Sequence, residues 1–185
     1  MITIVSGLPR SGTSLMMQML AAGGMPILTD QRRLPDEDNP RGYFEWEEVK
    51  RLPKNPALIA RGEGMAVKVV SHLLAFLPAT HEYRIVFIER PLPEILASQA
   101  AMLHRRRATA TPNDADIADA FRQHLREVVE LLADRNDFSI CRVGYRRLVA
   151  NPLQWAQTVQ DFLAVNLDIQ AMAAQVDPAL HRNRG

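Results

Sequence analysis

The feature that most constrains the fold is a strand, a glycine-bearing loop and a helix, one directly after another. Residues 2–5 read Ile-Thr-Ile-Val, a β-branched run typical of a buried strand. Residues 13–22 carry apolar side chains at helical spacing, and two glycines end that helix. Between them, residues 7–14 have the GxxxxG spacing of a phosphate-binding loop. We call residues 7–14 the glycine loop, and its context predicts an α/β phosphate-binding domain.

Strands and helices alternate along the rest of the chain. Strands are predicted at residues 66–70, 84–88 and 138–143, and helices at 44–52, from 91 or 93 to 107, at 115–135 and at 152–164, with a helical turn at 72–77. This alternation predicts a parallel sheet with helices on both faces. The expected fold is therefore α/β, a three-layer αβα P-loop fold whose central, mainly parallel sheet has about four to five strands. One domain is expected over residues 1–185.

Composition excludes several classes of protein. Lys+Arg 22 against Asp+Glu 21 gives a net charge of +1, which is too little for a nucleic-acid-binding surface over the whole chain. A single cysteine, Cys141, excludes an intrachain disulfide, and the scattered histidines predict no metal site. No apolar run approaches about 20 residues, and the first residues lack the pattern of a signal peptide. We expect a cytoplasmic protein without a membrane span.

The glycine loop has the chemistry of an anion site. Gly7 and Gly12 let successive N–H groups face inward, and the helix that follows adds its positive end. Thr13 and Ser14 can add hydroxyl donors. Thr13 stands where a nucleotide triphosphatase has a lysine, so Arg10 is the one cation inside the loop. Such a loop suits a 5′-phosphate or phosphosulfate better than a γ-phosphate with magnesium.

The glycine loop, Gly-Leu-Pro-Arg-Ser-Gly-Thr-Ser, resembles the 5′-phosphosulfate loop of the sulfotransferase family, whose core is Pro-Arg/Lys-Ser-Gly-Thr. That family uses 3′-phosphoadenosine-5′-phosphosulfate (PAPS) as the sulfuryl donor and releases 3′,5′-adenosine bisphosphate. The resemblance implies that the glycine loop binds the 5′-phosphosulfate and that Arg10 also acts in catalysis. The cofactor-binding residues implied are Pro9, Arg10, Ser11, Gly12, Thr13 and Ser14.

A second segment, residues 90–98, directly follows the predicted strand 84–88 and resembles the 3′-phosphate motif of the same family. That motif has an arginine at a strand end and a serine eight residues later, here Arg90 and Ser98. Ligands of open α/β sheets bind at the carboxyl ends of strands, where Arg90 is predicted to lie. The resemblance implies that Arg90 and Ser98 bind the 3′-phosphate.

A third segment, residues 145–163, resembles the family's late Tyr…Asn-Pro…Phe-Leu segment. The resemblance implies that Tyr145 lies near the adenine; the alternative is a half-buried structural tyrosine. The chain departs from the family in being short and in lacking an evident C-terminal Arg-Lys-Gly element. Arg182 and Arg184 are candidates to replace that element, and the alternative is that they are solvated.

Sulfuryl transfer needs a general base near the acceptor, and two residues fit that role. Glu45 lies at a loop-to-helix junction between two aromatic residues, although it could instead only pair with Arg41 or favour the helix N-terminus. His72 follows the predicted strand 66–70, with Lys68 before it, although it could be a cap or surface residue. Glu45 is placed slightly ahead, and both remain open. Arg41 is a candidate for holding an anionic acceptor or the sulfuryl group.

The predicted function is a sulfotransferase that moves a sulfuryl group from PAPS to a hydroxyl or amine, by in-line displacement with a general base and no metal. The alternatives are a P-loop nucleotide or metabolite kinase, supported by Glu89 after an apolar strand, and a catalytically silent nucleotide-binding protein. The acceptor, a small molecule, glycan or peptide, is not indicated, and residues 29–42 and 109–114 are the loops expected to contact it. The basic cluster 105–107 is expected to be a solvated helix end.

Overall fold

The computed structural model describes residues 1–30, 32–36, 39–105 and 114–177. The strands are β1 (Ile2–Gly7), β2 (Ile27–Leu28), β3 (Ala66–Lys68), β4 (Tyr83–Glu89) and β5 (Phe138–Gly144). The α-helices are α1 (Thr13–Ala22), α2 (Leu92–Arg105), α3 (Asp114–Asp134), α4 (Tyr145–Ala150), α5 (Pro152–Leu163) and α6 (Ile169–Ala173). Short 3₁₀ helices span Glu47–Arg51, Pro56–Gly62 and Ser71–Phe76.

The five strands of the described residues form one sheet in the order β2-β3-β1-β4-β5, and every neighbouring pair is parallel. In the centre, Ile4 of β1 is in register with Val67 of β3 and Ile85 of β4. All six residues of β1 are buried, as expected for a central strand of a parallel sheet covered on both faces. The predicted α/β class is confirmed.

The side chains of β1 alternate between two hydrophobic layers because successive strand residues point to opposite faces. Ile4 packs on the face covered by α3 and the 3₁₀ helices, where Val128 contributes to the core. Val5 packs on the opposite face, which is covered by α1, α4, α5 and α6 and includes Met16. The result is the expected three-layer arrangement.

This topology brings distant segments to one edge. Since β3, β1 and β4 are parallel neighbours, their carboxyl ends meet on the same side of the sheet. The glycine loop follows β1, residues 69–71 follow β3, and residues 90–91 follow β4. Open parallel sheets bind their ligands at this edge.

Some elements differ from the predicted ones. The helix expected at residues 44–52 is only the 3₁₀ helix Glu47–Arg51, because Phe44 has φ +51° and Trp46 is extended. The backbone N–H of Glu47 donates to Oδ2 of Asp30, 2.7 Å away, which fixes where that turn begins. The two-residue strand β2 and the short helix α4 were not predicted.

Several expectations fall outside the described residues, namely those for Arg106, Arg107, Arg182, Arg184 and most of the loop 109–114. Within the part of the chain that the structure describes, no helix combines the length and the apolar character needed to cross a bilayer.

Candidate active site

The glycine loop owes its shape to backbone conformations that glycine adopts readily. Gly7 has φ +152° and Gly12 has φ +110°. A Cβ atom on Gly12 would lie 2.5 Å from Cδ2 of Tyr145, so only a glycine lets that ring lie against the loop. The hydroxyl of Ser11 is buried and has no hydrogen-bond partner among the described residues. Buried polar atoms are normally paired, so this hydroxyl fits a bound polar ligand.

A cleft of about 260 Å³ opens above the glycine loop. Most of the site residues predicted from the sequence line it: Pro9, Arg10, Gly12, Thr13, Ser14, Glu45, Arg90, Ser98 and Tyr145. Ser11 is buried beneath the lining. The lining also includes Arg33, Asn39, Pro40, Arg41, Tyr43 and Asp177.

Arg10 joins the glycine loop to the segment after β4. Its Nε donates to Oγ of Ser98 on α2, 3.0 Å away. Its own backbone carbonyl accepts from Nη1 of Arg90 at 3.1 Å. The guanidinium carbon of Arg90 lies 4.5 Å from the ring centre of Tyr145, a cation–π distance. The three segments that resemble sulfotransferase motifs therefore meet in one place.

A buried carboxylate supports this junction. Glu94, in the first turn of α2, has no exposed surface. Its Oε2 accepts from Nε of Arg90 at 2.8 Å, and its Oε1 accepts from Nε of Arg146. No role for Glu94 or Arg146 was expected from the sequence.

Lys68 supplies a cation that sequence reasoning missed. From β3, its Nζ donates to Oγ of Ser14 at 3.0 Å and to the carbonyl of Tyr43 at 3.0 Å. Its side chain is only 7% exposed, and this burial lowers the pKa of Lys68, while the carboxylate of Glu45 acts in the opposite direction. The sequence predicted Arg10 as the one cation at the loop. Lys68, which comes from β3, is a second cation that contacts the loop. A single lysine within the apolar run 66–70 was the available signal.

Glu45 is a carboxylate in the lining of the cleft. Its Oε1 is 3.0 Å from Nη1 of Arg33 and 3.4 Å from Nζ of Lys68. Arg33 also lies over the ring of Tyr43, with 3.4 Å from the guanidinium carbon to the ring centre. The partner considered from the sequence, Arg41, instead contacts the carbonyl of Gln175 and the carboxylate of Asp177. Glu45 is thus a partly exposed carboxylate between two cations at the cleft.

His72 lies elsewhere. It is an exposed residue of the 3₁₀ helix Ser71–Phe76 and does not line the cleft. Its neighbour Ser71 is buried and bonds to Nε2 of His124 on α3, at 2.8 Å. Of the two base candidates, both described by the structure, Glu45 alone faces the cleft.

The feature that supported a kinase also lies away from the loop. Glu89 is exposed and pairs with Nη1 of Arg142 on β5, 3.1 Å away. It does not line the cleft, so the structure gives it no magnesium-binding position there. Across residues 1–30, 32–36, 39–105 and 114–177, no group of three or more His, Cys, Asp or Glu side chains could hold a metal ion.

Comparison with known proteins finds likeness only among solved structures. No family profile matches the chain, and neither does any curated protein. The sulfotransferase domain of the Synechococcus PCC 7002 olefin synthase is similar, with a TM-score of 0.59 and 19% identity, covering 100% of this chain and 80% of that one. Sulfotransferase STF1 from Mycobacterium tuberculosis H37Rv is similar with a TM-score of 0.61 and 20% identity, covering 94% of this chain and 70% of that one.

A third similar structure is mouse sulfotransferase SULT7A1 complexed with PAP. Its TM-score is 0.54 and its identity 17%, and the match covers 95% of this chain and 62% of the mouse chain. Identities this low concern the fold rather than the particular activity. The chain has the fold of these sulfotransferases.

Proposed function

We propose that this protein is a sulfotransferase that moves a sulfuryl group from PAPS to a hydroxyl or amine of an acceptor. The observation that carries the proposal is the junction at Arg10. This residue links a glycine loop without the P-loop lysine to Arg90 and Ser98. The sulfotransferase fold supports the same conclusion.

The glycine loop would hold the 5′-phosphosulfate. Its N–H groups and the N-terminus of α1 favour an anion at the mouth of the loop. The hydroxyl of Ser11, which has no partner in the described part of the chain, can complete the ligand set together with Thr13 and Ser14. When bound, PAPS supplies an activated sulfuryl group on a phosphate leaving group.

The rest of the nucleotide would lie toward α2 and α4. Arg90 and Ser98 line the cleft next to Arg10, and both can donate to a 3′-phosphate. Tyr145 also lines this end of the cleft, and we propose that the adenine lies beside its ring. The site therefore divides into a loop end and an arginine end.

Two cations can stabilise the negative charge that develops on the departing oxygen. Arg10 belongs to the loop, and Lys68 reaches it through Ser14. Cations fixed before the reaction, in a partly buried site, stabilise developing charge more effectively than solvent does. Glu45 would take the proton from the acceptor, because its carboxylate faces the cleft.

A nucleotide-binding experiment separates a sulfotransferase site from a kinase site. Thermal melting is compared with 3′,5′-adenosine bisphosphate, ADP and magnesium–ATP. A ligand at about 100 times its Kd stabilises by about 2.7 kcal/mol, which is roughly 5–10 °C for a chain of this size. Stabilisation by the bisphosphate is the expected result. Stabilisation by magnesium–ATP alone would favour a kinase, and no shift at all would contradict nucleotide binding. A protein that is stabilised by the bisphosphate but transfers no sulfuryl group would be the silent nucleotide-binding protein.

Substitution of the base candidates tests the chemistry. Transfer from ³⁵S-labelled PAPS is screened over simple alcohols, phenols, sugars and amines, and the best acceptor is used thereafter. Glu45→Gln should lower kcat by roughly 10²–10⁴ with bisphosphate affinity nearly unchanged. His72→Ala is the matched control and should keep the wild-type rate. A nearly active Glu45→Gln protein would contradict the assignment.

A further inference from the structure

Glu94 is a carboxylate in an unusually enclosed place. It has no exposed surface, although Glu is rarely fully buried unless paired. Removing a carboxylate from water costs several kcal/mol unless opposite charge and hydrogen bonds compensate. The position in the first turn of α2 helps, since a helix N-terminus favours negative charge.

Two arginines from different elements compensate Glu94. Arg90, at the end of β4, is 7% exposed and bonds to Oε2 at 2.8 Å. Arg146, on α4, is 55% exposed and contacts Oε1. Each carboxylate oxygen thus faces a different arginine, and α2 is tied to both β4 and α4.

These contacts fix the orientation of one guanidinium. Arg90 is held at Nε by Glu94, at Nη1 by the carbonyl of Arg10, and on its face by the ring of Tyr145. Three contacts in different directions leave the plane of the group little freedom to rotate. An arginine held in this way has lost its rotamer entropy before a ligand arrives.

We propose that Glu94 is a positioning residue, which acts through Arg90 to make the site select a nucleotide with a 3′-phosphate. The inference rests on the proposed function, because it presumes that Arg90 contacts that phosphate. Arg146 assists by balancing the charge of Glu94 from the solvent side. Glu94 itself touches no ligand in this scheme.

The direction in which one substitution changes the affinity for the bisphosphate distinguishes a positioning role of Glu94 from a purely electrostatic one. Glu94→Gln keeps the shape and removes a negative charge close to an anion site. If Glu94 acted only through its charge, the change would tighten binding of the bisphosphate. If it positions Arg90, the change loosens that binding, by about 5- to 50-fold for directly coupled residues. The affinity for 5′-AMP should change by less than about threefold, since AMP lacks the 3′-phosphate.

A second pair of variants covers the case in which Glu94→Gln does not fold. Arg146→Ala removes an exposed partner of Glu94, and Arg147→Ala removes the same charge from the next residue, which is also exposed. We expect Arg146→Ala to lower the preference for the bisphosphate over AMP by about threefold or more, and Arg147→Ala to leave it unchanged.

The measurement is the ratio of the Kd values for AMP and 3′,5′-adenosine bisphosphate, by titration calorimetry at fixed salt, for each variant that melts cooperatively. A reduced ratio in Glu94→Gln, or in Arg146→Ala but not in Arg147→Ala, supports the inference. A wild-type ratio in both Glu94→Gln and Arg146→Ala overturns it and leaves the proposed function intact. A wild-type protein that does not distinguish the two nucleotides removes the proposed function itself.

Discussion

Gly12 offers a direct test of how the loop and the tyrosine fit together. An alanine at this position meets two penalties. The backbone has φ +110°, which side chains rarely adopt, at a cost of about 1–3 kcal/mol. The new Cβ atom also lies 2.5 and 2.7 Å from two ring carbons of Tyr145, and such overpacking costs about 1–3 kcal/mol more.

Gly24 separates the two penalties. It has φ +93°, and a Cβ atom there would meet nothing within 4 Å. Gly24→Ala therefore carries the backbone penalty alone. The difference between the two variants in the free energy of unfolding should be about 1–3 kcal/mol, which is roughly 2–12 °C in Tm.

The assay is thermal melting of both variants, followed by titration with 3′,5′-adenosine bisphosphate. Gly12→Ala should have a lower Tm than Gly24→Ala. It should also bind the bisphosphate weakly, because the guanidinium of Arg90 packs on the ring of Tyr145 and would move with it. In a Tyr145→Ala background, the difference between the two alanine variants should shrink to nearly zero. Equal melting temperatures in the wild-type background would refute the proposed fit of ring and loop.

Two further predictions concern Lys68 and Tyr83. Lys68→Met should fold and lower kcat with the best acceptor by about 10²–10³, because the loop loses a fixed cation; a wild-type kcat would exclude that role. Burial raises the pKa of Tyr83 to about 12, above its ordinary value of 10. The protonated form is therefore favoured by folding, and its contribution to stability is complete below pH 10 and lost as the pH rises to about 12. In urea unfolding between pH 9 and 12, Tyr83→Phe should reduce the decrease in the free energy of unfolding with pH. An unchanged decrease would assign the loss of stability at high pH to other groups.

The sequence predicts best what depends on local pattern. The strand β1, the glycine loop and α1 follow from β-branched residues, two glycines and apolar spacing that all lie within residues 2–22. The segment from Arg90 to Ser98 was recognisable for the same reason. Arg90 directly follows the end of β4 and Ser98 lies on the next helix, α2, so the distance between them is set within the segment itself.

The contacts that were missed depend on which strands are neighbours. Lys68 reaches Ser14 only because β3 lies beside β1, and several sheet orders are compatible with one order of elements along the chain. The pair formed by Arg33 and Glu45 depends on the path of a loop without regular structure. The exposed position of His72 likewise follows from the turn that begins at Ser71, which apolar periodicity does not specify.

The central place of β1 in an all-parallel sheet also governs when the glycine loop can take shape. Gly7 pairs in register with Ile88, and β3 and β4 leave the ribosome long after β1. A nascent chain ending before β4 has no partner for one side of β1, and its loop N–H groups have no fixed direction. Since these distant strands must find β1 first, the glycine loop should take its final shape only after β4 has been synthesised.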